Sequence, residues 1–226
     1  MTVSNILSFL EEIKQNNNRE WFAQNKERYI QAKEDFEKLC ISLTDKISHF
    51  DSDILPVDAK ECIFRIYRDT RFSHDKTPYK QHFAAFIAAN GGRKSIRGGY
   101  YFHIEPGKCF VSIGVWCPPP DLLKALRQSV YDNIDELKEI IDNEAFKNYF
   151  PSFFDEDKLK TAPKGFPKDF ADIELIKLKH YMVEYTLPET LVRDQNFVSK
   201  VADIMKIAQP LNAFLNYTVD ELSSKR

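Results

Sequence analysis

Apolar residues fall at helical spacing near both ends of the chain and at a spacing of two in its middle. Ile6, Leu10 and Ile13 predict a first helix from about Asn5 to Lys14. Asn16-Asn17-Asn18 breaks it and supplies an N-cap for the next. Phe22, Tyr29, Ala32, Phe36, Leu39, Leu43, Ile47 and Phe50 then form one apolar stripe, which predicts a single long helix from about Arg19 to Phe50. The period changes at Cys62. The run Cys62 to Arg68 is β-branched and aromatic and reads as a strand, with Phe64 and Ile66 on one side and Arg65 and Tyr67 on the other. A polar segment, Asp69 to Gln81, separates it from a second strand, His82 to Ala89, and a glycine-flanked basic loop runs from Asn90 to Gly99.

Tyr100 to Trp116 reads as a hairpin about Pro106-Gly107. If Glu105 faces Lys108, then Tyr100, Phe102 and Ile104 share a face with Ile113, Val111 and Cys109. Tyr101, His103 and Glu105 then lie on the other face with Ser112, Phe110 and Lys108. One clean apolar face is what an antiparallel pair buried on one side requires. Pro118-Pro119-Pro120-Asp121 ends the sheet and opens a helix carrying Leu122, Leu126, Val130, Ile134, Leu137 and Ile141 on one stripe. Residues 145–170 look irregular, Ile173 to Lys177 reads as a short helix and His180 to Leu187 as a last strand. A final helix from about Asn196 to Asn216 should kink or split at Pro210. Helices before and after a block of hairpin-linked strands predict one α+β domain over residues 1–226, its antiparallel sheet of about four or five strands covered on one face by long helices.

Composition narrows the function classes. The chain has 226 residues and a net charge of -2, which excludes a generally basic nucleic-acid coat. None of its seven glycines precedes Gly91, so the first ninety residues hold no glycine-rich phosphate loop. Cys40, Cys62, Cys109 and Cys117 have no CxxC spacing and read as reduced thiols. No basic leader precedes the first apolar residues, and no uncharged stretch is long enough to span a bilayer. Cytoplasm is the expected compartment.

The run Arg65-Ile-Tyr-Arg-Asp-Thr-Arg-Phe-Ser-His-Asp-Lys-Thr-Pro-Tyr-Lys80 resembles the signature of an uncharacterised family, domain of unknown function 2461. Asn17-Asn18-Arg19-Glu20-Trp21-Phe22, the Gly99 to Ile104 strand and Pro163-Lys164-Gly165-Phe166 fit the same family, in order along nearly the whole chain. His74 departs from it, standing where the family pattern has Lys. The resemblance implies a bacterial-type α+β domain and no particular activity.

Candidate chemistry therefore rests on the residues. Between positions 63 and 97, eight cations stand against Asp69 and Asp75, a segment of +6 that leaves -8 on the rest of the chain. A local cationic field favours an anionic partner, and arginine forks suit phosphate or carboxylate. The expected ligand is a small phosphorylated or carboxylated molecule on the less apolar sheet face. Arg65, Arg68, Arg71 and Lys80 would hold its charge, Tyr67 and Tyr101 would orient it, and Lys164 would add a second cation. Asp69 would fix the arginines or act as a base, the one candidate for catalysis. The competing reading is scaffold: cations and aspartates within the one loop neutralise each other, or Arg68, Asp69 and Arg71 peg a glycine-free loop to helix carboxylates such as Glu20 or Glu27. Arg65 and Tyr67 on a strand face favour a site.

Other chemistries find less support. His74, Asp75, His82 and His103 lack metal-ligand spacing, and His82 and His103 sit on separate strands, so neither a metal nor any other cofactor is expected. No serine lies in a nucleophile elbow. The loop Arg93-Lys94-Ser95-Ile96-Arg97 beside Tyr101 leaves a nucleic-acid or acidic-protein binding module as the alternative function. No reaction is legible, and neither enzymatic activity nor oligomeric state follows from these residues.

Overall fold

The structure, a computed structural model, describes residues 3–224, so the first and last two residues of the chain lie outside the description. Helix α1 (Val3–Gln15) ends where Asn16 donates both its backbone N–H and its Nδ2 to the Glu12 carbonyl, each at 3.0 Å. Asn18 caps α2 (Arg19–Gln24) by accepting from the Trp21 N–H at 2.9 Å. The long helix expected over 19–50 is broken at Asn25, and α3 (Lys26–Ser48) starts beyond it. Asn25 repeats the device of Asn16: its N–H and Nδ2 both reach the Trp21 carbonyl, at 3.0 and 2.9 Å. A side-chain amide that takes the carbonyl of the preceding turn competes with the helix ladder.

The strand expected at Cys62 to Arg68 is also corrected. Asp58 caps a short helix α4 (Ala59–Cys62), and the chain beyond it is extended without joining a ladder. It makes isolated bridges only, Ile63 to Ala85 and Tyr67 to Tyr79. About the second bridge the Lys80 N–H donates to the Ile66 carbonyl at 2.8 Å and the Arg68 N–H to that of Pro78, which has no N–H to return; beyond it, side-chain bonds close much of the loop. Residues 63–82 form a broad hairpin loop. With no regular pleat the predicted sidedness fails: Ile66 is buried in the core, whereas Phe64 faces away from it, toward Lys80 and Tyr101.

Four antiparallel strands, β1 (Phe83–Ile87), β2 (Gly99–Ile104), β3 (Phe110–Val115) and β4 (Tyr181–Thr186), pair in chain order. The β2–β3 register is the expected one, with Tyr100 opposite Ile113 and Phe102 opposite Val111. Gly107 takes φ 76° in the turn, and the Lys108 N–H closes it on the Glu105 carbonyl at 3.0 Å. After β3, α5 (Pro120–Asp132) and α6 (Ile134–Ile141) are parted at Asn133, whose N–H and Nδ2 both donate to the Ser129 carbonyl. A helix α7 (Glu144–Tyr149), capped by Asn143, occupies the start of the segment expected to be irregular. Short helices α8 (Ile173–Ile176) and α9 (Glu189–Val192) flank β4. Next come α10 (Phe197–Ile207) and α11 (Gln209–Ser224), divided just before Pro210.

One face of the sheet is the core. Phe36 of α3 packs its ring 5.3 Å from Phe83 and 5.8 Å from Phe102, and Phe197 of α10 lies 6.0 Å from Phe102. Burying each such side chain contributes about 1.5–3 kcal/mol. Leu211, Leu215 and Val219 of α11 are buried in the same cluster. The architecture is α+β, with long helices on one sheet face. No helix among the described residues is long and apolar enough to cross a membrane.

Candidate functional site

The other sheet face forms the floor of a cleft of about 670 Å³. Its floor carries Ala84, Phe86, Tyr101, Phe110, Ser112, Gly114, Met182 and Glu184, the outward-pointing alternates of all four strands. Phe64 and Lys80 form one wall, Trp116 and Phe154 another, and the loop containing Arg93 and Arg97 a third. Volume and lining suit a small ligand: mostly apolar and aromatic, with a few polar groups. Gly99 pairs with Gly114 at one end of the floor, where neither residue adds a side chain.

The predicted site residues part company here. Lys80 and Tyr101 line the cleft. Lys80 is partly buried, with its Nζ 5.3 Å from the centroid of the Phe64 ring, and burial, with the charge of Arg65, lowers its pKa. It has no carboxylate partner among the described residues. Arg65 is exposed and makes no hydrogen bond or ion pair among the described residues, although its charge bears on Lys80 and Asp69. Arg68 is engaged inside its own loop, by Asp75, the Thr77 hydroxyl and, at 3.2 Å, the Thr77 carbonyl. The Thr77 N–H, with Arg68, holds the Asp75 carboxyl down to about 2. Arg71 lies on Asp69 at 2.7 Å, both exposed. Tyr67 is 46% exposed, with its ring on Phe22 and Tyr79. Lys164 is exposed on a loop that docks through Phe166 onto Tyr131 of α5.

The loop is pegged, but not through Glu20 or Glu27. Asn17 clasps the backbone of Tyr79, donating from Nδ2 to its carbonyl at 2.9 Å and accepting its N–H at 3.1 Å. Phe22 stacks on the Tyr79 ring at 3.9 Å. Two of the stretches that resemble the family therefore hold each other, one residue before Lys80.

Two cations at the far wall lie outside the set expected to hold a small anion. Arg97 is 11% exposed and bound to Asp53 and Asp220, so its charge is matched. Arg93 donates to the Glu61 carbonyl at 2.6 Å and has no carboxylate partner among the described residues.

On the same face, at the Lys80 end, lies a cluster whose members are scattered in the sequence pattern. The register sets Ala84 opposite His103, which brings His82 of the preceding loop over the His103 ring, centroids 4.3 Å apart. Tyr101 Oη lies 3.1 Å from His103 Nδ1, and His103 Nε2 lies 2.9 Å from Glu105 Oε2. Burial, with Lys108 and Lys80 nearby, pushes His103 down to about 4. Burial, with His103 and Lys80, does the same to His82. Burial, with Glu105 and Glu184, pushes the Tyr101 phenol up to about 12.

His82, His103 and Glu105 bring one donor atom each within 4.8 Å of one another, the spacing of a possible metal site. Two features weigh against a cation. Both nitrogens of His103 are already engaged, and Lys80 and Lys108 place positive charge on both imidazoles. The arrangement is a hydrogen-bonded chain flanked by two cations, Lys80 and Lys108, and two carboxylates, Glu105 and Glu184.

The fold and cleft define a class: an α+β protein with an antiparallel sheet whose uncovered face floors an aromatic, cation-edged cleft. The chain matches the model of the conserved hypothetical protein family DUF2461 over residues 5–214 and belongs to that family. No curated protein and no solved structure matches it.

Proposed function

We propose that the open-face cleft binds a small molecule with a flat apolar body and one phosphate or carboxylate group. Lys80 carries this reading: a partly buried ammonium facing an aromatic cleft without a carboxylate to neutralise it. Burying a charge unpaired is unfavourable, and an anion in the cleft would supply the missing partner. Arg93 adds charge from the loop wall, and the Tyr101 ring lines the floor. Arg68 and Arg71 act as loop scaffold in this reading, because their partners are Asp75 and Asp69. The alternative of a nucleic-acid or acidic-protein module is less favoured, since Arg97, one of the cations of the loop, is already matched by Asp53 and Asp220. A cytoplasmic setting fits four free thiols, three of them buried.

The test is thermal unfolding with benzoate, phenyl phosphate and the uncharged benzamide. A ligand bound only by the folded state raises the melting temperature in a saturable way. Benzoate or phenyl phosphate should do so, benzamide should not, and Lys80→Met should abolish the effect. Equal shifts in wild type and Lys80→Met would overturn the reading.

A further inference from the structure

We propose that Tyr101 is an acid–base group for the molecule bound in the cleft, with His103 as its proton partner and Glu105 as the residue that positions and stabilises the imidazole. This rests on the cleft being a ligand site. The three residues alternate along β2 and its extension, so one strand face presents them in line, and only Tyr101 reaches the cleft.

The hydrogen-bond chemistry leaves one direction for the chain. An ionised Glu105 can only accept, so His103 Nε2 carries the hydrogen. In the neutral ring Nδ1 then holds a lone pair, so Tyr101 must donate its O–H to it. The phenol oxygen consequently turns its lone pairs toward the cleft. A proton leaving an acidic O–H or C–H of the ligand can bond to that oxygen as the phenol proton passes to Nδ1. The electron pair of the broken ligand bond stays on the ligand as its conjugate base, and the imidazolium lies against Glu105. The reverse transfer returns the proton. This is the logic of a hydroxyl, an imidazole and a carboxylate in series, with tyrosine in the place of serine.

The surrounding charges couple the chain to an anion. Lys80 and Lys108 help to keep His103 neutral while the cleft is empty. An anion bound at Lys80 offsets that charge and makes the imidazole a better proton acceptor. A histidine buried only for packing would need no hydrogen-bonded path ending at a ligand cleft. Here His103 is 5% exposed, and both of its nitrogens lie in that path.

The experiment uses 4-(fluorosulfonyl)benzoate, an aryl carboxylate carrying a tyrosine-reactive group. In its reaction the Tyr101 oxygen bonds to sulfur, the sulfur–fluorine bond breaks, fluoride leaves, and the phenol proton passes to His103 Nδ1. Labelling of the full chain should saturate with probe, map to Tyr101 by peptide mass spectrometry, and vanish in Tyr101→Phe, which keeps the ring. Glu105→Gln keeps an acceptor for Nε2–H but loses the charge. It should lower the maximal labelling rate at least tenfold and leave the half-saturating concentration unchanged. Lys80→Met should do the converse, raising the half-saturating concentration. A maximal rate unchanged in Glu105→Gln, or an adduct on Lys80 in place of Tyr101, overturns the proton chain while saturation upholds the cleft. Labelling that does not saturate overturns the cleft reading itself.

Discussion

The rings of His82 and His103 face each other at 4.3 Å on the open side of the sheet, and His82 makes no hydrogen bond among the described residues. Two imidazoles so placed cannot both carry charge cheaply. Lys80 and Lys108 add to the penalty, and Glu105 opposes it.

Stability should therefore depend on pH in a defined window. Both imidazoles are lowered from 6.5 to about 4 in the folded protein. Between those values the unfolded chain binds more protons than the folded one, so their contribution is complete above pH 6.5 and is lost as pH falls toward 4. The loss is roughly 3 kcal/mol per histidine. Urea unfolding at pH 7 and pH 4.5 should show it, with a shallower dependence in His82→Gln. An identical pH dependence in that variant would contradict the assignment.

Arg68 and Arg65 should separate scaffold from surface. Arg68→Met removes bonds to Asp75 and Thr77 that close the loop, at a cost of about 1–2 kcal/mol. The cost stays below that of breaking a buried pair because Asp75 is exposed and keeps its water. Arg65→Met should be within about 0.5 kcal/mol of wild type in denaturant unfolding, since Arg65 is exposed and unpaired among the described residues. It should also raise the Lys80 pKa by removing a like charge.

Gly114 has a requirement that no side chain can meet. Its φ is 129°, and a Cβ there would stand 2.1 Å from the Tyr181 carbonyl oxygen across the β3–β4 pair. Gly114→Ala should cost more than about 3 kcal/mol, because strand backbones must part to admit the methyl. A melting temperature within a few degrees of wild type would show that the two strands can part at little cost.

The sidedness of the regular elements is legible in the sequence. In the β2–β3 hairpin, strict alternation sets Tyr100, Phe102 and Ile104 apart from Tyr101, His103 and Glu105, and one apolar face admits only one register. Pro210 announces the division between α10 and α11 because it lacks an N–H. The breaks at Asn25 and Asn133 are not legible, since each depends on a side-chain amide choosing the carbonyl four residues back. Nor is the irregular path of residues 63–68, whose alternation looks like a strand but finds no ladder to join.

The sequence by itself determined the fold class, the family, the uncovered face of the hairpin and the charge of the segment that borders it. Periodicity reports where a side chain points relative to its own element, and composition reports total charge. Tertiary structure alone decided which charges are free. It matched Arg97 with the distant Asp53 and Asp220 and left Lys80 facing the cleft. It also brought His82 to His103 and built the cleft from residues as distant as Phe64 and Glu184. These meetings depend on register and packing between elements far apart in the chain, where loop closure and core burial, not local pattern, set the geometry.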